Sequence, residues 1–147
     1  MDDETIYREN REDLIRYAAV LVGPTSAEDA ISTVVLRVLA RRRLVDLRDA
    51  RPYLFRAVLN ECRTRLDRDR NHSALANVDV SQPVNPQPEV LAAVLALPVR
   101  QRAATYLVYW AGMSVAETAR LMGIRPGTVK RYLYLARRVL KGALDAD

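Results

Sequence analysis

Apolar residues recur at intervals of three and four along most of the chain, so the pattern predicts helices throughout and no strand. A first helix is expected from about Thr5 to Val22, with Leu14, Ile15, Ala18, Leu21 and Val22 as its apolar stripe and Gly23-Pro24 as its stop. Ser26, backed by Asp29, is expected to cap a second helix. Its inward face is Ile31, Val34, Val35, Val38 and Leu39, and it ends among Arg41, Arg42 and Arg43. The β-branched residues there suit a strand as well, but the i, i+4 recurrence fits a period of 3.6. Asp29, Ser32, Thr33 and Leu36 fall on the side away from that stripe and are left free for a partner. Arg42 to Arg51 has no sustained period and reads as a loop closed by Pro52. A third helix, Pro52 to about Arg70, buries Leu54, Phe55, Val58, Leu59, Cys62 and Leu66. It turns Tyr53, Arg56, Asn60 and Arg63 the other way.

From Asn71 to Pro88 the period is lost among prolines, Asn and Ser, the composition of a stiff, partly extended linker between units able to move independently. A short apolar helix from Glu89 to Leu97 follows, and Pro98 opens another that carries Ala103, Leu107, Val108 and Ala111 up to Gly112. Ser114 and Glu117 then form a capping box, Ala119 is small where two helices cross, and Gly123 permits a turn with positive φ. Pro126 opens the last helix, with Val129, Leu133, Ala136 and Leu140 inward. Ser114 to Lys141 is therefore a helix-turn-helix. The expected fold is all-α, with two small helical domains at 1–70 and 89–147 joined by a proline-rich linker at 71–88.

Charge sharpens this picture. The chain has 147 residues and a net charge of +5. Up to Pro88 the basic and acidic residues balance, so the whole excess lies in the half with the helix-turn-helix. Between Ile124 and Lys141 every charged residue is Lys or Arg. The outward face there carries Gly127, Arg131, Tyr134 and Arg138, flanked by Arg125, Thr128, Lys130, Arg137 and Lys141, as expected of a recognition helix in a major groove. Last-turn cations on a solvated helix account for Arg137 to Lys141 but not for the uninterrupted run. On the third helix, Tyr53, Arg56, Asn60 and Arg63 supply a ring, two guanidiniums and an amide, the materials of a single-strand platform. An ordinary polar helix face accounts for them equally well.

Enzymatic and metal chemistry lack material. His72, the one histidine, lies in an expected polar loop that offers no set of metal ligands around it, and Cys62 reads as a small buried hydrophobe. No nucleophile motif, phosphate loop or cofactor signature occurs. No apolar run is long enough to span a membrane, and the acidic start MDDETIYREN is unlike a secretory signal, so a cytoplasmic protein without membrane insertion is expected.

The string LPVRQRAATYLVYWAGMSVAETARLMGIRPGTVKRYLYLARRVLK resembles the fourth domain of the extracytoplasmic-function (ECF) bacterial RNA polymerase sigma factors, including Leu97-Pro98, Gly112 and Gly127-Thr128-Val129-Lys130. LuxR-type regulators share much of this half. Ala27-Glu28-Asp29, then Tyr53-Leu54-Phe55-Arg56 and Asn60, are similar to the sigma second domain in order and spacing, and a LuxR-type protein carries no such module. The resemblance implies a non-enzymatic protein that needs no cofactor and has core RNA polymerase and promoter DNA as partners, often with an anti-sigma factor. It implies polymerase docking on the helix with Asp29, Ser32, Thr33 and Leu36, a flipped base at the loop Arg42 to Arg51, and the non-template strand along Arg56, Asn60 and Arg63. Arg125, Thr128, Lys130, Arg131 and Tyr134 would meet duplex DNA. The family usually has Gln, an acidic residue and an aromatic where this chain has Ser32, Thr33 and Val35, and Trp where Tyr53 stands. Those departures keep a second reading open, a sigma-derived or LuxR-like regulator acting apart from polymerase.

Overall fold

The computed structural model describes residues 2–73 and 88–145, and every regular element among them is helical. In chain order these are α1 (Asp3–Val22), α2 (Pro24–Arg41), a 3-10 turn at Leu44–Asp46, α3 (Ala50–Ser73), α4 (Pro88–Ala96), α5 (Val99–Tyr109), α6 (Val115–Met122) and α7 (Pro126–Asp145). Asp2 starts α1 by accepting from the Thr5 N–H at 2.8 Å, which satisfies one of the free first-turn donors. Gly23, at φ +92°, closes α1 with its N–H on the Ala19 carbonyl and leads straight into α2. Pro24 occupies the start of α2, where its missing N–H costs nothing, so Ser26 sits inside the first turn and makes no cap. The expectation that Ser26 caps α2 is thereby corrected.

Three helices pack the first half. Leu14, Tyr17, Ala18 and Leu21 of α1 meet Ala27, Ala30, Ile31 and Val34 of α2 and Leu54, Phe55, Val58 and Cys62 of α3, all buried. Tyr17 and Phe55 sit with ring centroids 5.1 Å apart, and burying a side chain of Phe55's size contributes about 1.5–3 kcal/mol. Leu39 was expected inward but is 43% exposed, because α2 outruns the core after Val38. Val35 and Leu66 are half-buried. Glu61, with no place in the apolar stripe, is only 5% exposed.

Around the helix-turn-helix, Ala104, Ala119, Val129 and Leu133 form a second buried cluster, with small residues where α5 and α6 approach α7. The two halves are docked on each other. Ala103, Tyr106, Leu107, Met113 and Leu121 belong to the same buried cluster as the core of the first half. Tyr17 and Tyr106 stack at 5.2 Å, and the Tyr106 hydroxyl donates to the Asp13 carbonyl at 3.2 Å. Arg102, 8% exposed, donates to the Val20 and Leu21 carbonyls at 3.1 and 2.8 Å, serving orphan acceptors at the end of α1. Of the expected linker, Asn71 to Ser73 are still in α3 and Pro88 already opens α4; residues 74–87 lie outside the described residues. His72 is thus placed in the last turn of a helix and not in a loop.

Candidate nucleic-acid interface

The helix-turn-helix is built as its residues dictate. Ser114 Oγ accepts from the Glu117 N–H at 3.0 Å, and Gly123, at φ +69°, takes the left-handed conformation that ends α6. Val129, Leu133 and Ala136 are buried, which turns the opposite side of α7 outward. Arg125, Gly127, Lys130, Arg131, Tyr134 and Arg138 are exposed there and Thr128 is half-buried. Arg138 lies over the Tyr134 ring at 5.8 Å from its centroid, a cation–π contact that makes one amphipathic surface of the two. A Cβ added at Gly127 would meet nothing within 4 Å, so the surface of α7 is open there.

On α3 the expected platform divides. Tyr53, Arg56 and Asn60 come together with Val34, Arg37, Val38, Arg41 and Ala57 around a hollow of about 310 Å³ between α2 and α3. Arg63 is not among them. It lines a separate cleft of about 310 Å³ with Asp67, Arg70, Arg100, Gln101 and Tyr132, where α3 meets the second half. Arg37 and Arg41 were missed from sequence, although their i, i+4 spacing on α2 was visible. Arg42 covers the Tyr53 ring at 5.6 Å. Tyr53 and Arg56 also border a cleft of about 430 Å³ whose far wall includes Glu117 and Arg120 of α6.

The free face of α2 is partly taken up from within. Arg65 Nη1 donates to Asp29 Oδ2 at 2.8 Å, Nη2 to Thr33 Oγ1 at 3.0 Å, and Nε to Glu61 Oε2 at 2.7 Å. Burial works against the charge on Arg65, and the hydrogen bonds it donates to Asp29 and Glu61 outweigh it, so its pKa rises. Glu61 holds Arg37 on its other oxygen at 3.1 Å. Asp29 stays exposed although engaged, and beside it Ser32, Leu36 at 72% exposure and Leu39 one turn on also face outward. No group of three His, Cys, Asp or Glu among the described residues could hold a metal ion.

Residues 88–140 match the family model described as Sigma-70, region 4. The ECF RNA polymerase sigma factor SigM of Mycobacterium tuberculosis is 35% identical over 145 residues, covering 91% of this chain and 72% of SigM. The chain belongs to the ECF RNA polymerase sigma factors. RNA polymerase sigma-E factor of Streptomyces avermitilis is 31% identical over 156 residues, covering 99% of this sigma factor and 87% of that one. Among solved structures, the sigma factor RpoE of Bartonella quintana, crystallised with the anti-sigma factor NepR, shares the fold at a TM-score of 0.81 and 18% identity, over 98% of this chain and 97% of that one. The likeness therefore spans both halves of the sigma factor, not the helix-turn-helix alone. Sigma factors are non-enzymatic, and no described helix is long and apolar enough to cross a membrane.

Proposed function

We propose that this ECF sigma factor binds core RNA polymerase and directs it to promoters, reading duplex DNA with α7 and holding the opened strand with α3. The observation that carries this is a single chain, related to sigma factors along its length, with an exposed cationic face on α7 and a ring–guanidinium–amide hollow beside α3. Arg125, Gly127, Thr128, Lys130, Arg131, Tyr134 and Arg138 take the duplex, where phosphate contacts give affinity and guanidiniums read base edges. Tyr53, Arg56 and Asn60 track the non-template strand by stacking and phosphate contact, and Arg63, in its separate cleft, meets it farther along α3. The loop from Arg42 to Arg51 accepts a flipped base, and unstacking is repaid by its capture.

Polymerase docks on α2. With Asp29 and Thr33 engaged by Arg65, Leu36 supplies the contact and Ser32 borders it. The two helical halves, α1 to α3 and α4 to α7, act as second- and fourth-domain modules joined through residues 74–87, working in the cytoplasm, with an anti-sigma factor as a further partner by likeness to the RpoE–NepR pair. The test is binding of the purified chain to core polymerase, followed by transcription from promoter DNA. Leu36→Arg abolishes association with core while the separated C-terminal half still binds duplex. A wild-type chain that fails to bind core at low salt, yet shifts promoter-like DNA alone, overturns this reading in favour of a regulator acting apart from polymerase.

A further inference from the structure

The loop from Arg42 to Arg51 is tied near both ends to one face of α1. Near its start the Val45 N–H donates to Asp3 Oδ1 at 3.0 Å, and neighbouring Leu44 is buried in the shared core. Just past its end, in the first turn of α3, Arg51 Nη1 donates to Asp13 Oδ2 at 2.9 Å and to Asn10 Oδ1 at 3.2 Å, Nη2 donates to the Ala111 carbonyl at 3.4 Å, and the guanidinium lies over the Phe55 ring at 4.9 Å. Asp3, Asn10 and Asp13 stand at i, i+7 and i+10, which places them in one stripe of a helix. Arg43, Asp46, Arg48 and Asp49 are left exposed on the outer side of the loop.

A connection between two packed helices needs no such tethers, and here three polar side chains of α1 are spent on them. A loop that reads a base does need them. Guanidiniums and carboxylates discriminate bases by directional hydrogen bonds, and a misplacement of about 1 Å is enough to forfeit them. We propose that Asp3, Asn10 and Asp13 are positioning residues that fix the pose of the base-reading loop, so that base preference at the melted element is set in part from α1. This rests on the reading of the loop given above.

The experiment uses the full chain bound to core polymerase and a promoter library randomised across the melted and farther upstream elements. Asp3→Ala lowers base preference at a single melted position by about tenfold, and leaves the farther upstream element read as before. Asp3→Asn keeps the Oδ1 acceptor and the preference with it. Arg51→Lys, which gives up the guanidinium whose Nη1 serves Asp13 and Asn10 while its Nη2 reaches the Ala111 carbonyl, behaves as Asp3→Ala does and guards against a folding defect peculiar to the N-terminus. Unchanged preference in both Asp3→Ala and Arg51→Lys, or a loss spread evenly over all positions, overturns the proposal. A wild-type holoenzyme with no preference anywhere in the melted element removes the reading of the loop itself, and the proposal with it.

Discussion

Cys62 is fully buried where α3 meets α1, and burial first, then the neighbouring Glu61 carboxylate, pushes its thiol up to about 12 from an ordinary 9.0. The folded state therefore favours the neutral thiol. That contribution to stability is complete below about pH 9, where the unfolded thiol is also protonated, and drains away as pH rises from about 9 to about 12. Native protein at pH 8 should leave Cys62 untouched by a thiol reagent that labels it in denaturant, and the urea midpoint should fall as pH climbs above 9. Rapid labelling of the native chain at pH 8 would contradict this. On the other side of the molecule, Lys130 and Arg131 are adjacent and exposed, yet their chemistry separates them. Arg131→Ala should cost about 1–3 kcal/mol on the preferred duplex and relax preference at one base pair, whereas Lys130→Ala should weaken all duplexes alike and flatten the salt dependence. Titrations of specific and random duplex at several salt concentrations decide it; equal losses from both changes would refute the division.

Packing of α3 onto α2 turns on a group that the hydrophobic pattern did not mark. Glu61 bridges Arg37 and Arg65 across the two helices, and Arg65 passes the hold on to Asp29. Removing it by Glu61→Ala leaves Arg65 part-buried without its nearest acceptor and should cost about 1–3 kcal/mol, read as a lower urea midpoint at unchanged slope; Glu61→Gln keeps one acceptor and should cost less. A midpoint unmoved by Glu61→Ala would mean that solvent replaces the bridge. Helix spacing made the three-helix stripe legible, from Leu14 and Leu21 through Ile31 and Val34 to Phe55 and Cys62. The same spacing is silent on which polar faces meet, because Arg65 and Asp29 are 36 residues apart in sequence. Where two local signals competed at the start of α2, the Gly23-Pro24 geometry prevailed over the Ser26 cap. The helix-turn-helix was legible almost residue by residue, since its cap at Ser114 and its turn at Gly123 are local features. The α3 platform was legible as residue types and not as a site: Arg63 diverges to another cleft, and Arg37 and Arg41 arrive from a different helix.

At the scale of the whole molecule, composition predicts a linker between independent units, but it carries no information on whether those units then find one another. They do so through Arg102, Tyr106 and a shared apolar cluster, contacts between residues some 80 to 90 positions apart. Docking brings Glu117 of α6 to the wall of the cleft that Tyr53 and Arg56 share. A strand laid over Tyr53 and Arg56 has to occupy the cleft that α6 walls, so it favours a wider separation of the halves than the docked arrangement has. The interface is not fully satisfied either: among the described residues, Tyr17 Oη and Arg102 Nε are buried without a protein partner, and burial lowers the Arg102 pKa. Its apolar contacts still favour association. A protease site introduced within residues 74–87 and cut should therefore leave two fragments that co-elute on size exclusion as one species. Arg102→Met, which removes both hydrogen bonds to α1 while keeping an apolar stem, should shift the cut chain toward two separate peaks. Single-stranded melting-element DNA, added to the cut wild type bound to core polymerase, should protect α3 while exposing the α5 and α6 surfaces around Tyr106 and Leu121 to hydrogen exchange. Fragments that part at once in the cut wild type would show that the shared core does not hold the halves together without the covalent connection.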